Sequence, residues 1–163
     1  MITLPKTIDL IEAQRRILDP NWALQQKYDG ERVIVICKGG EIEAVNKKGR
    51  QFTKDDEILP FFAKDVGDYV LDCEYAWGIV WAFDELSKPE APYLVRLRRA
   101  ATVVQELGGP RVRRVRTWRD PAKKAAMFER AREQGIEGVI FRSLRSPHYP
   151  GSDSNVCCRF KFR

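Results

Sequence analysis

Residues Lys27-Tyr28-Asp29-Gly30-Glu31-Arg32 set an amine, two carboxylates and a guanidinium where two apolar runs meet, within the stretch LQQKYDGERVIVI. A strand that only packed would not need them there. Taken alone, Asp29-Gly30 after a strand is a tight-turn signal, and a hairpin with a charged rim accounts for it. A functional reading needs partners elsewhere in the chain. The segment LDCEY is one source: strand alternation turns Leu71 and Cys73 to one face and Asp72 and Glu74 to the other. Lys47 and Arg50, with Arg96, Arg98, Arg99 and the run RVRRVR, could line a track for the phosphates of a polyanionic partner. Solvated faces of a helix and a strand explain the same arginines, and for the helix that is the preferred reading.

Other chemistries are poorly supplied. Cys37, Cys73, Cys157 and Cys158 contain no C-x-x-C pair, and His148 is the only histidine. That disfavours a structural zinc site, and the thiols read as reduced and partly buried, as in a cytosolic compartment. His148 lies in a loop with no nucleophile paired to it. The net charge of +6, from 29 Lys and Arg against 23 Asp and Glu, suits a polyanionic partner without requiring one. No apolar run is long enough for a signal peptide or a membrane span.

The elements that must position these groups follow from periodicity. A short helix is expected around Ile8 to Ile17, stopped by Asp19-Pro20. ERVIVICKGGEIEAV reads as two strands joined by Gly39-Gly40. NKKGRQF carries another turn, DDEILPFFAK a short irregular helix, and DYVLDCEYAWGIVWAFDEL two strands bent at Gly78. Leu94, Leu97, Ala101, Val104 and Leu107 form a helical stripe, with Arg96, Arg98 and Arg99 on the other face. RVRRVRTW alternates as a half-exposed strand does. Asp120 caps a helix that has Pro121 in its first turn and ends at Gly135. EGVIFRS and VCCRFKFR close the chain as strands, separated by the turn-rich LRSPHYPGSDSN. The sum is α+β in one domain over residues 1–163, and a chain of this length buries roughly 70% of its unfolded surface without staples.

KYDGER matches the K-x-D-G-x-R signature of the covalent nucleotidyltransferases: ATP-dependent DNA ligases, RNA ligases and mRNA capping enzymes. NKKGRQF, LDCEY, VWAFDEL, EGVIFR and CRFKFR resemble that family's later motifs, in the family's order. SPHYPGSDS resembles a segment between the last two motifs of bacterial-type ATP-dependent DNA ligases. The likeness runs from residue 24 to 163 and implies a nucleotidyltransferase (ATP-grasp-like) fold, with mainly antiparallel sheets, flanking helices and the nucleotide in the cleft between sheets.

The resemblance also implies a mechanism. Lys27 attacks the α-phosphate of ATP, which requires an uncharged amine. Asp29 orients the amine or a metal-bound water, Gly30 permits the tight turn, and Arg32 binds sugar or phosphate oxygens. Glu74 contacts the ribose or the metal region. Phe83 stacks on adenine, with Trp81 on the same face as a substitute and a core phenylalanine as the alternative. Glu137 binds Mg²⁺, and Lys161 clamps the α-phosphate. Lys161 pairs with either Arg159 or Arg163 in the closing motif, and Arg163 is taken as a further nucleotide contact. Lys47 and Arg50 touch DNA. The expected function is sealing of nicked double-stranded DNA through lysyl-AMP, in a cytoplasmic, nucleoid-associated or viral setting, by a monomer without a membrane partner. Alternatives are RNA joining, capping-type transfer, or a catalytically weak nick- or nucleotide-binding module. Two departures stand out. Cys73 occupies a position where glycine is usual, and no OB-fold follows Arg163, so a separate OB-fold or lid partner is envisaged.

Overall fold

A computed structural model describes residues 2–52 and 57–163. The chain forms two compact units, the first from residues up to Lys27 together with Arg116–Arg163, the second from Tyr28–Val115. It passes from one to the other at the Lys27–Tyr28 peptide bond.

In the first unit a five-stranded sheet has the order β2 (Lys6–Thr7), β12 (Cys157–Lys161), β10 (Gly138–Ser143), β3 (Trp22–Gln26), β9 (Thr117–Trp118). All its pairs are antiparallel except β2 with β12. A separate parallel pair joins β1 (Thr3–Leu4) to β11 (Gly151–Ser152). Helices α1 (Leu10–Leu18) and α3 (Pro121–Glu133) contribute Ala13, Ile17, Met127, Phe128 and Ala131 to the core, against Leu24, Val139, Phe141 and Cys158 of the sheet. Asp9 caps α1 by accepting from the Glu12 amide at 2.8 Å, and Asp120 caps α3 by accepting from Lys123 at 3.0 Å. Both helices lie where the sequence puts them, α1 starting two residues later than Ile8. Lys124 is fully buried and donates to the carbonyls of Arg16, Asp19 and Trp22 at 2.9, 2.6 and 2.7 Å. The Thr3 hydroxyl donates to the Tyr149 carbonyl at 2.7 Å. Its oxygen also lies 3.1 Å from His148 Nδ1.

The second unit holds a sheet of order β5 (Glu41–Asn46), β4 (Glu31–Lys38), β6 (Tyr69–Ala76), β7 (Ile79–Glu85), β8 (Val112–Arg114). Its first four strands are antiparallel, and β8 runs parallel to β7 after the crossover helix α2 (Tyr93–Leu107). Gly39 and Gly40, at φ 58° and 82°, make the predicted β4–β5 turn. Val33, Val35, Leu71, Cys73, Val80 and Ala82 form the core with Ala100 and Leu107 of α2. Tyr28, Ala76, Phe83, Val115 and Trp81 form a second cluster. Part of DDEILPFFAK lies outside the described residues; what is described is a 3₁₀ turn at Leu59–Phe62.

Three expectations are corrected. The segment RVRRVRTW is not one strand: Val112–Arg114 joins the second unit's sheet and Thr117–Trp118 the first's. The apolar stripe of α2 is rotated. Tyr93, Arg96, Leu97, Ala100 and Leu107 are buried, whereas Leu94, Ala101 and Val104 are only partly so. Arg96 goes inward because it pairs with the buried Asp84 at 2.8 Å, and it is 2% exposed, so it belongs to no surface track. Finally, Asp29-Gly30 is not a hairpin turn, because β3 and β4 lie in different sheets.

Candidate active site

In the first unit, strand pairing assembles one charged group. Gln26 of β3 pairs with Val139 of β10, so Lys27 leaves β3 beside Gly138; Gly138 pairs with Lys161 at the end of β12. Glu137, the residue before β10, is held by its carbonyl accepting from the Phe162 amide at 2.9 Å. Its carboxylate thus meets both amines, Lys27 Nζ at 2.9 Å and Lys161 Nζ at 3.6 Å. All three side chains keep some access to solvent, at 18%, 32% and 39% for Lys27, Glu137 and Lys161. The hydrogen bond from Lys27, then the charges of Lys27 and Lys161, hold the Glu137 carboxyl below its ordinary value; partial burial opposes them. A glycine precedes Val139 for a steric reason: a Cβ on Gly138 would stand 2.3 Å from the Phe160 carbonyl oxygen.

Geometry also separates the basic residues of the last strand. Arg159 Nε donates to Thr7 Oγ1 at 2.9 Å, and Arg163 donates to the Gly135 carbonyl. Lys161 alone reaches Glu137. Phe160 and Phe162 turn the other way, onto Phe128 at ring distances of 5.4 and 5.0 Å.

In the second unit, β4 and β6 build a polar face from Arg32, Asp72 and Glu74. Arg32 grips Asp72 with two bonds of 2.5 and 2.6 Å, and its guanidinium lies 4.5 Å above the Phe83 ring. The Asp72 side chain is 1% exposed. Glu74 pairs in register with Arg32 and accepts from the Gly30 amide at 3.1 Å. Gly30 is required for space rather than for turning: its φ is not positive, and a Cβ would meet the Tyr75 carbonyl oxygen at 2.1 Å. Phe83 is 9% exposed, as a core ring would be. Trp81 stacks on Tyr28 at 4.2 Å, with planes 15° apart. Asp29 is exposed.

Lys47 and Arg50 stand exposed on a turn where the Asn46 side chain accepts from the Lys48 and Arg50 amides and donates to Glu31 at 2.9 Å. Asp72 was missed as a site residue from sequence. Its signal was present in the alternation that sends Asp72 and Glu74 to one face, diagonal to Arg32 across the ladder. No group of three or more His, Cys, Asp or Glu side chains suited to a metal occurs among the described residues. Mg²⁺ takes most of its ligands from water and phosphate and needs only one or two carboxylates, so the Glu137 carboxylate fits such a cation.

No family model matches the sequence, and no curated protein does. Solved structures do match. The mycobacterial DNA ligase D complexed with ATP and MES superposes with a TM-score of 0.77 at 20% identity, covering 98% of this chain and 59% of that one. The ligase domain of M. tuberculosis LigD gives 0.72 at 21% identity over 99% and 58%. The ATP-dependent DNA ligase of bacteriophage T7 in complex with ATP gives 0.66 at 10% identity over 98% and 67%. The chain thus spans a little under three fifths of the first two proteins' length. Over almost its whole length it adopts the α+β nucleotidyltransferase-domain fold of ATP-dependent DNA ligases.

Proposed function

We propose that this chain is the nucleotidyltransferase part of an ATP-dependent DNA ligase and that Lys27 carries the AMP. The observation that carries the reading is the triad in which one carboxylate, Glu137, meets two amines, Lys27 and Lys161. An ammonium has no lone pair, so attack requires the Lys27–Glu137 pair to open and Lys27 to give one proton to solvent. The Lys27 nitrogen then bonds to the α-phosphorus of ATP, and the bond to the pyrophosphate oxygen breaks. Lys161 offsets the negative charge that grows on the α-phosphate as this happens. Glu137 would hold Mg²⁺, which when bound neutralises phosphate charge. A 5′-phosphate oxygen at a nick next displaces the Lys27 amine from phosphorus. The 3′-hydroxyl oxygen finally attacks the phosphorus of that 5′-phosphate, gives its proton to solvent, and AMP leaves with the electron pair of the broken P–O bond.

In this reading Glu74 accepts from a ribose hydroxyl, and Arg32, fixed by Asp72, offers its remaining donors to sugar or phosphate. Asp29 stays close to the attacking amine in the chain. Phe83 has Arg32 on one face of its ring, so stacking on adenine falls to its other face or to Trp81. Arg163, engaged with Gly135, contributes only if that bond opens. Lys47 and Arg50 contact phosphates of nicked duplex DNA.

The test is intact mass after incubation with Mg²⁺ and either ATP or GTP. The reading expects one AMP per chain, absent in Lys27→Ala. Attachment of GMP alone would favour capping-type transfer and overturn the ligase reading. Attachment of neither nucleotide would overturn the nucleotidyltransfer reading.

A further inference from the structure

The β6–β7 hairpin turns on Trp77-Gly78, with Ala76 and Ile79 paired at its base. Trp77 has φ 53° and Gly78 φ 76°, the two left-handed positions of a turn that favours Asn-Gly or Gly-Gly. Trp77 is the only non-glycine with positive φ among the described residues, and it is 76% exposed. A bulky ring held in a left-handed conformation, contributing nothing to the core, is the kind of backbone outlier from which a functional role is inferred.

Its surroundings say what it binds. The Arg111 guanidinium donates to the Gly78 carbonyl at 3.1 Å and so fixes the tip. Arg113, on the neighbouring strand, lies 5.8 Å above the Trp81 ring, and Arg111, Arg113 and Arg114 are all exposed. The Glu57 carboxylate of this region is taken by the Tyr75 hydroxyl at 2.9 Å. The hairpin also adjoins the KYDGER segment: a Cβ on Gly30 would stand 2.9 Å from that of Ala76.

We infer that the Trp77 tip is a nucleic-acid contact, its ring stacking on a base at a strand end while Arg111 and Arg114 meet flanking phosphates. Every base presents a π-face, so one rigid indole with cations beside it suits a strand end without sequence selection. A protein partner would be expected to use a broader apolar patch than this single ring. The inference rests on the proposed DNA substrate and names a contact that the ligase reading leaves unassigned.

Trp77→Asn tests it without threatening the fold, because asparagine favours this turn position. Binding of a fluorescein-labelled nicked duplex is followed by anisotropy at fixed salt, with intact mass for the AMP adduct and a thermal midpoint alongside. We expect Trp77→Asn to keep or raise the midpoint and to weaken nicked-duplex binding about ten-fold. Trp77→Phe should retain most of the affinity, and Arg114→Gln should lower the salt slope by about one phosphate contact. Two results overturn the inference: Trp77→Asn within two-fold of wild type, or wild type that forms the adduct yet does not bind the duplex. Trp77-dependent binding with no AMP adduct would instead support this contact and sink the nucleotidyltransfer reading.

Discussion

Lys27 Nζ lies 2.9 Å from one carboxylate oxygen of Glu137, whose other oxygen faces Lys161 at 3.6 Å. Two amines around one carboxylate leave the group with a net positive charge, which suits a triphosphate. The arrangement also stores the candidate nucleophile in a paired form. Residues more than a hundred positions apart in sequence meet here because a single ladder, β3–β10–β12, delivers all three.

That ladder makes Glu137 a pH reporter. Its folded-state carboxyl sits below its ordinary value, so its stabilising contribution is complete above the unfolded value of about 4.3 and is lost as pH falls through the folded one. With the side chain 32% exposed, solvent screening keeps the contribution under about 1 kcal/mol. Thermal midpoints of wild type and Glu137→Gln should therefore differ at pH 6 and converge towards pH 3. A gap that stays constant over that range would show that the pair does not act as described. At pH 7 the same variant should form little AMP adduct.

The glycines of the two motifs make a steric prediction. A methyl on Gly30 would press on the Tyr75 carbonyl at 2.1 Å, and one on Gly138 on the Phe160 carbonyl at 2.3 Å; in neither case is the obstacle a flexible side chain. Gly30→Ala and Gly138→Ala should each cost about 2 kcal/mol, or roughly 4–8 °C in Tm. Gly109→Ala, with nothing within 4 Å and no positive φ, should be close to neutral in the same melt.

How much of this was legible beforehand depended on whether the signal was local. The Asp120 cap, the Gly39-Gly40 turn and the closing strands follow from neighbours in sequence, and they stand as read; the Asp9 cap is seen only in the structure. The α2 stripe did not, because Asp84, twelve residues away, draws Arg96 into the interior against the periodicity. Asp29-Gly30 looked like a hairpin because the apolar runs on either side are indistinguishable in type; only the partners of β3 and β4 reveal two sheets. The residues of KYDGER were legible by motif. The dependence of Arg32 on Asp72 needed the β4–β6 register.

The Arg32–Asp72 pair should behave as a buried ion pair does. With side chains 12% and 1% exposed, removing one partner strands the other, at a cost of about 3–5 kcal/mol. Arg32→Met and Asp72→Leu should each be strongly destabilising in urea unfolding, and the double variant less so than the sum of the two. Additive costs would mean that the bidentate contact contributes no coupling.

Lys124 carries the last prediction. Its ammonium is completely buried and serves three backbone carbonyls, two in or just after the final turn of α1 and one at the start of β3. Burial pushes its pKa down, the charges of Asp19 and Asp120 work against that, and its three acceptors offset the desolvation. Lys124→Met keeps the length and apolar stem of the side chain but leaves three part-buried acceptors unserved, each worth about 1 kcal/mol. A loss of about 3 kcal/mol follows, together with faster amide exchange across residues 10–22, where those carbonyls lie. Because β3 leads directly into Lys27, the variant should also form AMP adduct more slowly while remaining folded at low temperature. Unchanged exchange in α1 would show that the lysine is not what ties this helix to the strand.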